Sequence, residues 1–438
     1  MSGIVYLIAW AGSLGDLLFH LPGAGMIAGV AIMLFLTLEF GRQRPMVRAV
    51  LVLLISAGLV AVACAPDPLG ALIAAWRRGA AYASFFLALG ALRLAAQHSV
   101  VIRRCGAQLL AQPPGRRYLA MTAGGHLFSI ILSYGAIDLL GAMLRDAHAK
   151  ARGRMMLAAY RGFGTMNCWS PLNIMTAVVS AAVPGANLWP LLPAGFAVAM
   201  LMLGIGIWLD RRMPMAPEAA LPSRDRWTIH FAVIGLVILV SVLAWAVGHG
   251  FGVGLSTGIT ASVPAVALVW AAVQSRRQIW SRLVEFHAAL PGFRGEAGVL
   301  AAGGFLGVAL GAALPVGGLA PWLAVLPPVA VPLLVPLVLL ATGLVGLNPI
   351  AIVAVIGAAV PDPAALGVAP SVLAFACMLG WGVGVGMTPM SASAIATARW
   401  SDSDPVTVTT VWNRDFTLLA LILASLAIVA AHAVLSPR

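Results

Sequence analysis

NCWSPLNIMTAVVSAAVPG, residues 167–185, sets Asn167, Cys168, Ser170, Pro171, Asn173 and Thr176 in one short span. The chain around it is apolar. Of 438 residues, 61% are hydrophobic and 9% charged, and the mean hydropathy is +0.99. A water-facing surface needs about 25% charged residues, so the chain reads as a polytopic membrane protein. A second stretch, MTPMSASAIATAR at 387–399, is interrupted in the same way. Aligned on the prolines, Ser170-Pro171-Leu172-Asn173 falls on Thr388-Pro389-Met390-Ser391. The offset from one motif to the other is almost half the chain length.

Composition narrows the classes further. The N-terminal MSGIVYLIAW lacks a basic leader and a small-residue cleavage site, so it reads as a first membrane helix. Cys64, Cys105, Cys168 and Cys377 are scattered without metal or disulfide spacing. The net charge of +12 sits mainly in short connections between apolar segments. That is where the positive-inside bias puts arginine, and no nucleic-acid partner is implied. No phosphate-binding GxxxxGK[ST] and no HExxH occurs, so neither direct ATP drive nor an enzyme is expected.

Apolar segments fall near 4–20, 24–40, 47–65, 70–98, 118–144, 152–183, 187–209, 227–249, 251–274, 295–316, 325–360, 370–398 and 416–434. Basic clusters at Arg42–Arg48, Arg103–Arg117, Arg145–Arg161, Arg211–Arg226 and Arg276–Arg294 then test the topology. Segment 118–144 has a basic cluster on both sides, so a span would export one of them. A re-entrant hairpin keeps both inside, with Gly124-Gly125-His126 near its tip. Segment 325–360 is too long for one span and is interrupted by Gly346-Leu347-Asn348-Pro349; it reads as a hairpin entering from outside. The expectation is an all-α polytopic membrane protein with eleven spans and two re-entrant hairpins, the N-terminus cytoplasmic and the C-terminus periplasmic.

The parts fall into two inverted-topology repeats. An extra helix occupies 1–23. Repeat 1 (24–226) holds scaffold helices 24–98, a linker surface helix 99–117, hairpin 118–144, broken helix 152–183 and helix 187–209. Repeat 2 (227–438) holds scaffold helices 227–316, hairpin 325–360, broken helix 370–398 and helix 416–434. His126 in the first hairpin aligns with Asn348 in the second.

Interrupting a helix in hydrocarbon strands backbone N–H and C=O groups unless protein or a wet cavity receives them. Pro171 and Pro389 each remove a donor, and Gly162, Gly164, Gly382, Gly384 and Gly386 would let the chain unwind. The freed groups can surround a small cation, and half-helix N-termini face an anion. Candidate cation ligands are Asn167, Ser170, Thr176, Thr342 and Thr388. Candidate substrate ligands are His126, Ser129, Asn173, Asn348, Ser391 and Ser393. His126 and Asp138 are candidate proton carriers; the alternatives are a packed histidine and a cap at the cytoplasmic rim. Asp16 is expected to be structural. Asn413-Arg414-Asp415 reads as an interfacial ion pair, and Trp76, Trp189, Trp280 and Trp322 as interface-belt residues.

The motifs GGHLFS (124–129), NCWSPLN (167–173), GLNP (346–349) and GMTPMSAS (386–393), in this order of elements, resemble the ion transporter superfamily and within it the divalent anion/sodium symporters. The resemblance implies sodium sites at hairpin tips and breaks, a dicarboxylate between them, a homodimer and an elevator-like motion. Here the tips read GHLFS and GLNP where those symporters carry Ser-Asn-Thr, which opens proton coupling. The expected function is cation-coupled (Na+ or H+) transport of a small organic anion across a bacterial inner membrane. The alternative is a cation/proton antiporter or oxyanion exporter on the same fold. No cofactor is expected beyond a bound Na+, and the partners are the small-molecule or ion substrate, the lipid bilayer and a second copy of the chain.

Overall fold

The computed structural model describes residues 1–145, 148–212, 227–274, 276–314, 319–347 and 349–436. Every regular element among them is helical. The first half runs α1 (Ser2–Phe19), α2 (Ala24–Phe40), α3 (Pro45–Cys64), α4 (Pro68–Gln97), α5 (Val100–Leu110), α6 (Pro114–Leu132), α7 (Gly135–Met143), α8 (Ala149–Met166), α9 (Ile174–Ala182) and α10 (Leu191–Arg211). The second half runs α11 (His230–Phe251), α12 (Leu255–Gln274), α13 (Ile279–Ala289), α14 (Arg294–Ala313), α15 (Ala320–Leu323), α16 (Ala330–Leu344), α17 (Pro349–Ala359), α18 (Pro370–Val385), α19 (Ala392–Trp400) and α20 (Arg414–Leu435). Eight of the described helices are long and apolar enough to cross a membrane, with α13 and α14 counted as one run. The chain is a multi-pass helical membrane protein.

Local chemistry explains the boundaries. Pro68 opens α4, and the Asp67 carboxylate accepts from the Gly70 amide. The Ser99 hydroxyl caps α5, which covers the first part of the 99–117 segment expected as a linker helix; from Pro114 that segment belongs to α6. α13 is a helix that the hydropathy pattern does not announce; its IWSRLVEFHAA has no long apolar run and its residues are not buried. Trp76 is a packing residue rather than a belt residue, with its ring 4.7 Å from that of Phe305. Asp16 holds Arg77 at 2.6 Å, an ion pair between α1 and α4. Trp280 and Trp322 are exposed.

α4 and α14, both in segments expected as scaffold, lie against each other with Gly79 on the Ala301 carbonyl and Gly304 on Tyr82. The remainder is organised by matching contacts. The first arm of each hairpin packs on the first half of the broken helix that follows it, α6 on α8 and α16 on α18. The return arm packs on the second half of the other broken helix, α7 on α19 and α17 on α9. Glycine makes these approaches possible. Gly162 sits against the Thr122 carbonyl. Its counterpart Gly380, at the offset that carries Ser170 to Thr388, sits against the Pro336 backbone. Gly164 and Gly382, related by the same offset, touch each other: a Cβ on either would meet the other's carbonyl oxygen at 3.5 and 3.2 Å. α18 is buried on every side at this crossing, as a helix apolar all round from Val372 to Val385 must be.

Two expectations need correction. α6 runs unbroken through Gly124-Gly125-His126 and turns only at Ser133, whose φ is 52°. His126 is therefore inside the first arm, not at its tip. Gly125 does not unwind the helix; it lets the Ala159 backbone approach. Aligned on their turns, Ser133 pairs with Gly346, which is also left-handed at φ 82°, so His126 and Asn348 are not counterparts. Likewise Gly162, Gly164, Gly382 and Gly384 lie within regular α8 and α18 and serve packing.

Candidate functional site

Both broken helices are interrupted where the proline motifs fall. α8 ends at Met166 and α9 begins at Ile174; α18 ends at Val385 and α19 begins at Ala392. In each, the residue at the motif's fourth position restarts the helix. Asn173 Oδ1 accepts from the Met175 amide at 2.9 Å, and Ser391 Oγ accepts from the Ala394 amide at 3.1 Å.

The first break is a closed polar knot. The Asn167 amide donates to the Phe163 and Gly164 carbonyls at 2.9 and 3.2 Å, and its Oδ1 accepts from Asn173 Nδ2 at 2.7 Å. The Thr176 hydroxyl donates to the Ser170 carbonyl at 2.8 Å. These three side chains satisfy the Phe163, Gly164 and Ser170 carbonyls and the Met175 amide. Two oxygens are left over. The hydroxyls of Ser129 and Ser170, 1% and 0% exposed, are buried without a partner. Ser170 follows Trp169, whose indole N–H bonds His126 in α6, and Ser129 lies one turn beyond His126 on the same face. Ser170 lies in the first break itself, and Ser129 lies in α6, the helix whose His126 bonds the break's Trp169. A buried hydroxyl without a partner costs about 1–3 kcal/mol, so each is a natural ligand oxygen.

His126 is fully committed. An indole N–H only donates, so His126 Nε2 accepts from Trp169 at 3.0 Å and the ring proton sits on Nδ1, which meets Thr165 Oγ1 at 3.1 Å. Thr165 Oγ1 in turn donates to the Arg161 or Gly162 carbonyl. The ring stacks on Trp169, which meets Phe196 edge-on. Among the described residues each ring nitrogen has a protein partner, the arrangement of the packed-histidine alternative. Asp138, in the first turn of α7, is paired with Arg399 and accepts from Trp400 Nε1 at 2.9 Å. It fastens the first hairpin to α19.

At the second break Thr388 Oγ1 donates to the Gly384 carbonyl at 2.8 Å, and Ser393 Oγ lies 3.2 Å from Ser391 Oγ. Thr388 packs on Gly343 of α16, and Met390 on Gly346 of the second turn. Thr342 uses its hydroxyl within its own helix, on the Val338 carbonyl at 2.6 Å. Asn348 lies outside the described residues.

Sequence reasoning misses two residues. Arg161 reads as one of the interfacial arginines, yet it is 2% exposed inside α8. Its Nε donates to Asn413 Oδ1 at 2.9 Å, Nη1 to Tyr118 Oη at 2.7 Å, and Nη2 to the Trp412 carbonyl at 3.2 Å, with Phe416 under the guanidinium. Among the described residues none of these partners is a carboxylate, and Asp210, the acid beside Tyr118, is held by Arg154. Asn413 reads as part of an interfacial pair. It is 1% exposed and donates to the Gly386 carbonyl at 3.0 Å, while Arg414 and Asp415 do form an exposed pair.

The first hairpin's turn reaches the scaffold. Tyr134 donates to the Glu296 carboxylate on α14 and accepts from Arg93 Nη1 on α4 at 3.3 Å. The Arg93 guanidinium lies 4.8 Å from the Tyr134 ring centre.

No protein-family model and no curated protein matches the chain. Among solved structures it is similar to the YdaH transporter of Alcanivorax borkumensis, described as having an unusual topology. The TM-score is 0.60 at 14% identity, over 88% of this chain and 97% of that one. It is also similar to MtrF of Neisseria gonorrhoeae, from a class of antimetabolite efflux pumps, at a TM-score of 0.49 and 13% identity over 81% and 80%. The chain shares its fold with the first of these, a transporter.

Proposed function

We propose that the chain is a secondary active transporter that couples Na+ or H+ to movement of a small organic anion such as a carboxylate. The carrying observation is the pair of helix breaks, the first buried and the second buried through Pro389, each packed against a hairpin of its own half. Interrupted helices at bilayer depth have a use where an ion or solute needs backbone groups and half-helix dipoles. The fold shared with the YdaH transporter supports the same reading.

We read eleven spans, the eight long helices together with α2 and the two broken helices, plus two re-entrant hairpins in inverted repeats. Glycine contacts that recur at one offset in the two halves support the repeat. The setting is a bacterial inner membrane, with the N-terminus cytoplasmic, the C-terminus periplasmic and the arginine-bearing ends of α2, α4, α10 and α12 inside. The working unit is a homodimer.

An elevator motion fits the heights of the contacts. Ile350, just past the second turn, packs on Gly303 at the middle of α14. Tyr134, at the first turn, bonds Glu296 seven residues nearer the Arg294 end, about 10 Å lower at 1.5 Å per residue. The point midway between the turns is then about 5 Å inward of the scaffold's middle, and the mirror arrangement lies about 10 Å away.

The antiporter alternative needs a free ionisable group, and both sequence candidates, His126 and Asp138, are held by protein partners. Counterflow decides between them. Proteoliposomes loaded with unlabelled dicarboxylates, citrate or gluconate should accumulate the labelled compound with a sodium or proton dependence. No counterflow with any of them, together with pH-driven sodium exchange, sinks the carboxylate reading and favours the antiporter.

A further inference from the structure

The two breaks differ at matching positions. The offset that carries Ser170 to Thr388 carries Arg161 to Leu379 and Gly195 to Asn413. Each of the four is buried, and Gly195 and Asn413 sit at corresponding contacts. Gly195 packs on the carbonyl of Cys168, and Asn413 donates to the carbonyl of Gly386, which is the counterpart of Cys168 at the same offset. In the first half the carbonyl meets a bare glycine. In the second it receives an amide whose own oxygen is held by a guanidinium.

The rest of the second break is closed by the protein as well. The Gly384 carbonyl accepts from Thr388 Oγ1 and from the Met387 amide, and the Val385 carbonyl accepts from Tyr160 Oη at 2.6 Å. Among the described residues no buried side-chain nitrogen or oxygen at the second break lacks a partner, whereas Ser170 in the first break and Ser129 in α6 both do. A positive charge without a carboxylate, buried one amide away from a helix break, also changes the local field. A second monovalent cation beside this guanidinium would be repelled by it and bind more weakly.

We propose that the chain binds a single coupling cation, at the first break among the hydroxyls of Ser170 and Ser129, and that Arg161 is the resident cation of the second break. This rests on the cation-coupled reading above. A sodium-sized ion suits hydroxyl oxygens, and the orphaned pair gains ligation that the protein does not supply. The Arg161–Asn413 unit does for the Gly386 carbonyl what an ion would have to do at the corresponding place. The two half-sites therefore share the duties unequally: one exchanges its cation, and the other keeps it.

The test uses the purified full chain, melted in sodium chloride and in choline chloride at equal ionic strength, at mildly acidic and mildly alkaline pH. A cation bound only by the folded protein raises stability with its concentration. Sodium should stabilise along a single-site curve. Ser170→Ala and Ser129→Ala should each raise the half-stabilising sodium concentration by about tenfold or more, and Thr388→Ala by less than about twofold. Arg161→Leu, which gives the first half the residue of the second, should add a second sodium-dependent step. An equal loss in Thr388→Ala and Ser170→Ala overturns the single site, and this comparison stands even if Arg161→Leu does not fold. A pH effect without a sodium effect overturns the site while leaving proton-coupled transport. Neither effect in the unaltered protein overturns the site and cation coupling together.

Discussion

Tyr134→Phe removes one oxygen from the turn of the first hairpin, and that oxygen makes two bonds to charged groups. Both partners, Glu296 and Arg93, belong to the scaffold, and the tyrosine belongs to the hairpin. They meet only where the turn lies at the Arg294 end of α14. A hydrogen bond to a charged group contributes about 1.5–3 kcal/mol net. The two bonds share one hydroxyl, so we take that range for the pair. If the hairpin-bearing unit exchanges between this position and its mirror image, only this position loses the bond. The equilibrium should then move about 10- to 150-fold toward the outward arrangement. Glu296→Gln keeps an acceptor but not the charge and should move it about half as far in free energy. Of the four cysteines only Cys64 is exposed, so Cys64→Ser supplies a quiet background. Met390→Cys, at a 55% exposed position in the second break, supplies the reporter. A membrane-impermeant maleimide applied from either side of sealed vesicles should show the outer-to-inner labelling ratio rising at least about tenfold in Tyr134→Phe. An unchanged ratio, in protein that melts as the parent does, would show that Tyr134 is ordinary packing and refute the latch.

Gly382→Ala should destabilise by about 1–3 kcal/mol, because the new Cβ would overlap Cys168 Sγ and sit 3.2 Å from the Gly164 carbonyl. Gly204→Ala, with open space around it, should be neutral or slightly stabilising in the same detergent melt; equal effects would discredit the close crossing. Trp169→Phe leaves His126 Nε2 buried without its donor and should cost about 1–3 kcal/mol. Adding His126→Leu should recover part of that loss, and a strictly additive double variant would argue against the bond. Asn173→Ala removes both the cap of α9 and the acceptor's partner at Asn167, so about 1–2 kcal/mol should be lost. Ser391→Ala, which removes the cap alone, should lose less in the same melt.

The breaks were legible because proline beside Ser, Thr and Asn is costly in lipid, and a cost met twice at one spacing has few explanations. That segments 118–144 and 325–360 each hold two helices joined by a turn was legible from their flanking arginines, their length and their polar interruptions, and their re-entrance stays part of the proposal. What failed depended on partners distant in the chain. Gly124-Gly125 looks the same whether a helix unwinds or another backbone approaches, and only Ala159 on a different helix decides. α13 has no apolar run to announce it. Arg161 failed for a more instructive reason. It closes a run that contains Arg145, Arg152 and Arg154, and a run of arginines beside a membrane segment reads as interfacial. Yet the offset that carries Ser170 to Thr388 held the correction: it takes Arg161 to Leu379, 0% exposed within a helix that has no charged residue. An arginine that occupies the counterpart of a core leucine is either misaligned or buried for a purpose. The same comparison sets Asn413 against Gly195, and these two departures from symmetry meet each other in space through one 2.9 Å hydrogen bond. Chance substitutions in two halves of a chain have no reason to be mutual partners. In a duplicated fold, the informative residues are those where the halves disagree and the disagreements touch.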